Sequence, residues 1–317
     1  MSDDELRDRN VVITGASSGL GRGTAIRLAE RGARVVIAAR RGDVLKNVAA
    51  QIRAAGGEAL AVPVDVSEAD QVERLAAEAE ERFGAIDVWV NNVGIGAIGL
   101  FWEIPPEDHA RVVAVNLTGA INGTHVALRR FVARGRGTVV NLGSIDSETP
   151  LAYQASYAAT KAAVLSLGRS LTQELRLVGA DDVQVATILP FAVDTPWWDH
   201  AANHSGHEPR MAAMDDPWEV VDAIVDACAD PRGERHVGAK SAGDALVHHL
   251  LPRAAERISA EVSQREVRRG ARRPRTSGSI HAPSGRGTSV EGGIRERRAR
   301  EDAGREDEGE RTPTAGD

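Results

Sequence analysis

Cysteine is nearly absent from this 317-residue chain: Cys228 stands alone. No intramolecular disulfide can form, and a reducing compartment is the expected setting. Long apolar runs are missing as well. None approaches the roughly 20 residues needed to cross a bilayer, and the charged start, Met1 to Asp8, has no apolar stretch for a secretory leader. A cytoplasmic protein without a membrane span is expected. Positive charge is not in excess either; the balance of −7 speaks against nucleic-acid binding by the folded part. Lysine occurs only at Lys46, Lys161 and Lys240, and tyrosine only at Tyr153 and Tyr157, while arginine carries nearly all the positive charge. Where such scarce residues fall is therefore informative.

Large apolar residues also fade from Arg265 onward, where Arg, Gly, Ser, Glu and Pro dominate. Such a stretch cannot bury enough surface to offset its ordering entropy. Residues 265–317 are expected to be a disordered tail behind one folded domain, residues 1–264. The tail is basic from Arg268 to Arg275 and acidic near Glu301 to Glu310. A solvated mixed-charge extension explains it more simply than binding to RNA or anionic membranes, and the two blocks could also pair with each other.

The first 260 residues alternate short β-branched runs with amphipathic stretches. The runs are Asn10–Thr14, Arg34–Ala39, Ala59–Val64, Ile86–Asn91, Thr138–Leu142 and Val183–Leu189, with a weaker one near Glu234–Gly238. Several are apolar on consecutive residues, as strands covered on both faces must be. Helical spacing fills Gly21–Arg31, Val44–Ala55, Ala69–Phe83, Glu107–Arg134 and Ser156–Val178. Regular strand–helix alternation predicts an α/β fold: a doubly wound, Rossmann-type parallel sheet of about seven strands with helices on both faces.

The first strand runs into Thr14-Gly15-Ala16-Ser17-Ser18-Gly19-Leu20-Gly21, and a helix follows. Glycines there allow a sharp turn and close backbone approach to a pyrophosphate, and the helix N-terminus supplies free N–H groups. Farther on, Tyr157 and Lys161 are four residues apart, on one helix face. An ammonium beside a phenol favours the phenolate and lowers a pKa that is otherwise about 10. A surface tyrosine beside a solvated lysine is the plainer alternative.

The turn is spaced Gly-x-x-x-Gly-x-Gly, and with Tyr157-x-x-x-Lys161 it resembles the short-chain dehydrogenase/reductase family. Asn91-Asn92-Val93-Gly94 is similar to that family's motif after strand four, Asn116 matches its helix asparagine, and Ser144 precedes Tyr157 by the usual thirteen residues. The resemblance covers about residues 8–250. It implies a cofactor site of Gly15, Ser17, Ser18, Gly19, Leu20, Gly21, Asn92 and the Asp65-Val66 pair near the adenine. Pro190, Val193 and Thr195 would contact the nicotinamide, although Phe191 replaces a usual glycine. It also implies Tyr157 as general acid/base, Lys161 tuning it and holding the nicotinamide ribose, Ser144 positioning the substrate oxygen, and Asn116 anchoring a proton relay to Lys161.

The second strand ends in Ala39-Arg40-Arg41, with no acid to accept a ribose 2′-OH. Arg40 could instead hold a 2′-phosphate, with Ser17 as a second contact, so NADP(H) is expected over NAD(H). Arginines merely solvating a loop are the alternative. Trp197 and Trp198 fall in residues 191–217, which read as a substrate lid; helix packing would also explain them. His200, His204 and His207 lack supporting acids or cysteines for a metal site. Tyr153 has no lysine partner, and Ser147 and Ser156 read as solvated loop serines. The expected function is NADP-dependent interconversion of a small-molecule alcohol and a ketone or aldehyde. A non-catalytic NADP(H) sensor or scaffold on the same fold is the alternative. The resemblance further implies a homo-oligomer, dimer or tetramer, paired through the helices after strands four and five.

Overall fold

The computed structural model describes residues 5–238, 240, 241, 243 and 251–311, with side chains to residue 303. Seven parallel strands form one sheet in the order β3-β2-β1-β4-β6-β7-β9. They are β1 (Asn10–Thr14), β2 (Arg34–Ala39), β3 (Glu58–Pro63), β4 (Val88–Asn91), β6 (Gly137–Leu142), β7 (Val183–Pro190) and β9 (Glu234–Val237). A small parallel pair, β5 (Ala97–Ile98) with β8 (Ala202–Asn203), lies apart from it.

The consecutive apolar residues of each strand divide between two cores. On β1, Val11 and Ile13 face one core while Val12 faces the other; on β4, Val88 and Val90 oppose Trp89. The first core is closed by α1 (Gly19–Glu30), α2 (Gly42–Ala54) and α7 (Pro217–Ala229). The second is closed by α3 (Ala69–Phe83), α5 (Gly119–Arg134) and α6 (Ala155–Leu177). The register is in step across the sheet, with Val11 opposite both Val35 and Val88, and Val90 opposite Val140. Strand order reverses between β1 and β4, which opens a crevice at the carboxyl ends of the strands.

The helix expected over Glu107–Arg134 is divided. α4 (Pro106–Val113) meets α5 through a wide π-turn at Ala114–Thr118. Asn116 sits in that turn and pairs with the Ile95 backbone in both directions, accepting from Ile95 N at 2.8 Å and donating to Ile95 O at 2.8 Å. Single wide turns of this kind often occur at functional sites. Among the described residues, no helix is long and apolar enough to cross a membrane. The apolar run Leu246–Leu251 lies outside the described residues except for Leu251.

The tail holds together differently from the domain. A helix, Pro252–Arg269, leads into an irregular stretch and then a second helix, Ile294–Arg311. Among the tail's described residues, Ile280 and Ile294 join apolar clusters of the domain. The stretch between the two helices is laid across the domain. Ile280, Val290 and Ile294 are buried, and Asp194 caps the last helix by accepting from Ile294 N at 2.8 Å and Arg295 N at 3.1 Å. Buried Arg210 gathers Glu266, Glu301 and Asp302 at 2.8, 2.6 and 2.5 Å, and Arg269 of the basic block adds its positive charge to the field that lowers Asp302 of the acidic one.

A buried polar knot fixes α5 to the sheet. Trp89 Nε1 donates to Asn91 Oδ1 at 2.9 Å, and Asn91 Nδ2 donates to Thr124 Oγ1 and Asn141 Oδ1, each at 2.9 Å. Gly123 packs so closely that a methyl group there would overlap Asn91 Oδ1 and Trp89 Nε1. Alanine would gain about 1 kcal/mol of helix propensity, against about 1–3 kcal/mol for overpacking and about 1 kcal/mol for a disrupted buried hydrogen bond. Gly123→Ala is therefore expected to lower stability by about 1–3 kcal/mol in urea unfolding.

Candidate active site

A cavity of about 250 Å³ lies at the carboxyl ends of β1, β2, β4, β6 and β7. Every site residue expected from the sequence lines it except Gly21 and Asn116. Gly15 and Gly19 take positive φ, +74° and +54°, which gives the turn after β1 its shape. Asn92 pins that turn by donating from Nδ2 to Thr14 O at 3.0 Å and Gly15 O at 3.4 Å. A Cβ on Gly21 would strike Asn92 Nδ2. Its part is thus close packing beneath the turn, one layer back from the cavity.

Guanidinium groups crowd the end of β2. Arg41 donates to Ser17 Oγ at 3.0 Å and Ser18 Oγ at 2.7 Å, next to the glycine turn. Burial holds Arg40 below its ordinary pKa, and Arg111 adds to the effect; for Arg41 burial acts first, then Arg40 and Arg22. Asp65 is the acid beside this group. Burial pushes its pKa up, but hydrogen bonds from Ser67 and Arg111 outweigh that and leave it lowered; Arg111 Nη2 lies 2.5 Å from Asp65 Oδ2. Mutually repelling cations, a hydroxyl pair and a helix N-terminus form a donor set that fits a polyphosphate ligand. Sequence reasoning named Arg40 for this place. Arg41 is the one joined to both serines, and Arg111, contributed by α4, was not foreseen.

At the other end of the cavity Ser144, Tyr157 and Lys161 come together. Ser144 opens a one-turn helix, Ile145–Ser147, and its Oγ accepts from Asp146 N at 3.1 Å. Burial pushes the Tyr157 phenol up, Asp146 pushes it further, and a hydrogen bond with Ser144 pulls it back only partly. Burial brings Lys161 down to about 8, while Asp146 opposes that. Lys161 Nζ donates to Leu142 O at 2.6 Å and lies 5.6 Å from the centre of the Tyr157 ring. The expected lowering of the phenol by Lys161 is thus not met in this state, because desolvation of both groups dominates. Asn116 stands behind them, donating to Thr160 Oγ1 at 3.1 Å. Asp146, two residues past Ser144 and buried, was passed over in the sequence although an acid so near a candidate serine is a readable signal.

The remaining expectations separate cleanly. Trp197 packs on Tyr157 with ring centres 5.1 Å apart and meets Trp198 edge-on at 4.9 Å. His200 bonds to Arg286 O, His204 to Asp108 and His207 to the Ser205 carbonyl, so the three diverge. Among the described residues no three His, Cys, Asp or Glu side chains cluster as metal ligands would. Tyr153, at φ 70°, packs near Trp198 ahead of α6. Ser147 and Ser156 are not simply solvated: Ser147 donates to Lys161 O at 2.9 Å, and Ser156 lies 3.0 Å from His109 Nδ1.

The short chain dehydrogenase family profile matches residues 9–205. This chain belongs to the short-chain dehydrogenase family. It is an oxidoreductase of that family. It is 33% identical over 261 residues to the uncharacterized oxidoreductase YxnA of Bacillus subtilis, covering 81% of this chain and 73% of that one. It is 36% identical over 262 residues to the probable oxidoreductase EphD of Mycobacterium tuberculosis, covering 78% of this chain but only 44% of EphD. Among solved structures, a short-chain dehydrogenase/reductase from Burkholderia phymatum in complex with NAD superposes with a TM-score of 0.71 at 28% identity, over 79% of this chain and 96% of that one. A gluconate 5-dehydrogenase from Burkholderia cenocepacia in complex with NADP and tartrate gives 0.65 at 27%, over 77% and 99%.

Unlike the turn and the Tyr157 group, the strap of chain over this short-chain dehydrogenase's cavity was invisible to sequence reasoning. Arg40 donates to Ser279 O at 2.8 Å, Ile280 O at 3.1 Å and His281 O at 2.8 Å. Arg41 donates to Ser284 O at 3.2 Å and Arg286 O at 3.0 Å. Gly19 N, at the start of α1, donates to Ser289 O at 2.8 Å.

The lysine gives a stability test. Folded Lys161 titrates near 8, whereas in the unfolded chain it titrates at about 10.4. Between these values the unfolded chain holds a proton that the folded chain has shed, so this group's contribution to stability rises with pH. From pH 7.5 to 10.5 the stability of the wild type should increase relative to Lys161→Met by on the order of 3 kcal/mol, read by urea unfolding at each pH. A difference that stays flat with pH would contradict a buried, depressed lysine.

Proposed function

We propose that this enzyme interconverts a small alcohol and its ketone or aldehyde, using NADP(H) in preference to NAD(H). The observation that carries the reading is the joining of two groups in one cleft: Ser144, Tyr157 and Lys161 at one end, and the Arg40–Arg41 pair beside Ser17 and Ser18 at the other. The glycine turn and the N-terminus of α1 would hold the pyrophosphate, with Arg41, Arg40 and Ser17 at a 2′-phosphate. Asp65 and Val66 would border the adenine, and Asn92, Pro190, Val193 and Thr195 the nicotinamide half. The reduced nicotinamide, when bound, supplies the hydride.

The chain's own residues handle the proton. Burial keeps the Tyr157 phenol protonated at neutral pH, the form required to give a proton to the substrate oxygen during reduction. The Ser144 hydroxyl, hydrogen-bonded to Tyr157, would orient that oxygen and stabilise charge developing on it. Lys161 would relay the replacement proton, positioned through the α6 backbone and Asn116. Trp197, packed at a tilt against Tyr157, with Trp198 and Phe191 would form an apolar wall in a lid spanning residues 191–217. A homo-oligomer, expected to pair through α4, α5 and α6, is supported by exposed Val113, Ile121 and Val132 on the first two of these. Free, buried Cys228 accords with a reducing, cytoplasmic setting.

The test follows NADPH and NADH oxidation in parallel against a panel of ketones and aldehydes. NADPH should be preferred, and Tyr157→Phe should lower kcat by about 10²–10⁴-fold with NADPH still bound. Faster turnover with NADH would overturn the cofactor choice and leave the reaction standing. Tight NADPH binding without turnover across the panel would favour a sensor.

A further inference from the structure

The groups assigned above to cofactor phosphates already have partners within the chain. Backbone carbonyls between Ser279 and Arg286 accept from Arg40 and Arg41, and Ser289 O accepts from Gly19 N at the start of α1. Ser279, Pro283 and Ser284 line the cavity itself, whose 250 Å³ falls below the range of about 300–1,000 Å³ usual for small-molecule pockets. The stretch is seated, not merely draped. Ile280 is fully buried against Ala97, Ile104, Val112 and Ala202. His281 Nε2 lies 2.7 Å from Asp108 Oδ1, and Asp108 is itself wholly buried and bound on its other oxygen by His204.

We propose that residues 276–293 are an autoinhibitory strap: they occupy the phosphate-binding groups of the cleft, and the dinucleotide and the strap exclude one another there. The physical basis is an exchange of acceptors. A guanidinium fork that meets neutral carbonyls makes weaker bonds than one that meets a phosphate. The crowding of Arg22, Arg40, Arg41 and Arg111 leaves positive charge that peptide dipoles neutralise only in part. A phosphorylated ligand can therefore take over these donors, although it must first release the strap, and its apparent affinity falls by the fraction of molecules with the strap in place. The strap's anchors at Ile280 and His281 both accept from Arg40 through their carbonyls, so release at Arg40 would loosen both. This inference rests on the assignment of the cleft to a nicotinamide dinucleotide.

Two full-length variants unseat the strap without touching a cofactor or catalytic group. Gly278 has φ +55°, and a side chain there would overlap the Ala201 and His200 carbonyl oxygens, so Gly278→Val should lift the strap at its start. His281→Ala removes its bond to Asp108. NADPH and NADH are titrated into wild type and both variants, and tryptic cleavage after Arg286 is followed with and without each cofactor. Both variants should bind the preferred cofactor at least tenfold more tightly than wild type, and that cofactor should accelerate cleavage after Arg286 in wild type. Equal or weaker binding by the variants, or protection of Arg286 by the cofactor, would mean that the strap is a wall of the bound state and would overturn the proposal. The cofactor assignment is judged separately, by the ratio of NADPH to NADH affinity within wild type. A wild type that prefers NADH, with variants that bind it more tightly, would retain the strap and discard the 2′-phosphate reading.

Discussion

A sheet whose seven strands are all parallel cannot leave either face to water, and that requirement organises this molecule. Every return crossing needs a covering helix, and every crossing ends its loop on the same edge. The carboxyl edge therefore collects the turn after β1, the arginines after β2, Asp65 after β3, Asn92 after β4, Ser144 after β6 and Val193 to Thr195 after β7. These residues are far apart in sequence. Their meeting follows from covering both faces, which is why a turn suited to phosphates and a buried tyrosine–lysine pair share one cleft.

The same edge concentrates positive charge. Four arginines approach one another with Asp65 as the acid among them, and Arg111 already bonds that carboxylate. Surface charges so arranged would be screened by solvent, but half-buried ones need acceptors. The C-terminal stretch supplies them from its backbone. Buried Ile280, Val290 and Ile294 seat the stretch on the domain, and its carbonyls meet the guanidinium groups' need for acceptors.

That explains what the sequence made legible. Alternation of β-branched runs with helical spacing was enough for the sheet, because burial on both faces leaves a continuous apolar signature on Val11, Val12 and Ile13. That Tyr157, Lys161 and Ser144 share one cleft was legible because tyrosine and lysine are scarce here and four residues apart, and because the family resemblance supplied the serine's spacing. The strap was not, since its acceptors are peptide carbonyls, which every residue has; Ser279 or Arg286 could be replaced with little change in that signature. Composition indicated a segment poor in large apolar residues but could not reveal that another segment's arginines would bind it. The wide turn at Asn116 was hidden for a related reason. Helical periodicity continues through it, and the displacement arises from a tertiary bond to Ile95.

The Tyr157–Lys161 pair shows how far burial can override a local rule. On an exposed helix, an ammonium one turn away would draw the phenol toward ionisation. Here each group lies deep enough that its neutral form is favoured, the phenol shifted up and the ammonium down, and Asp146 enlarges the first shift while opposing the second. The phenol consequently rests neutral, whereas Lys161, titrating near 8, keeps most of its charge at pH 7. A phenol so placed is protonated at neutral pH and gives up its proton reluctantly. Ionising it requires that the solvation lost to burial be replaced from within the cleft, and the Ser144 hydrogen bond is the contact that already acts in that direction.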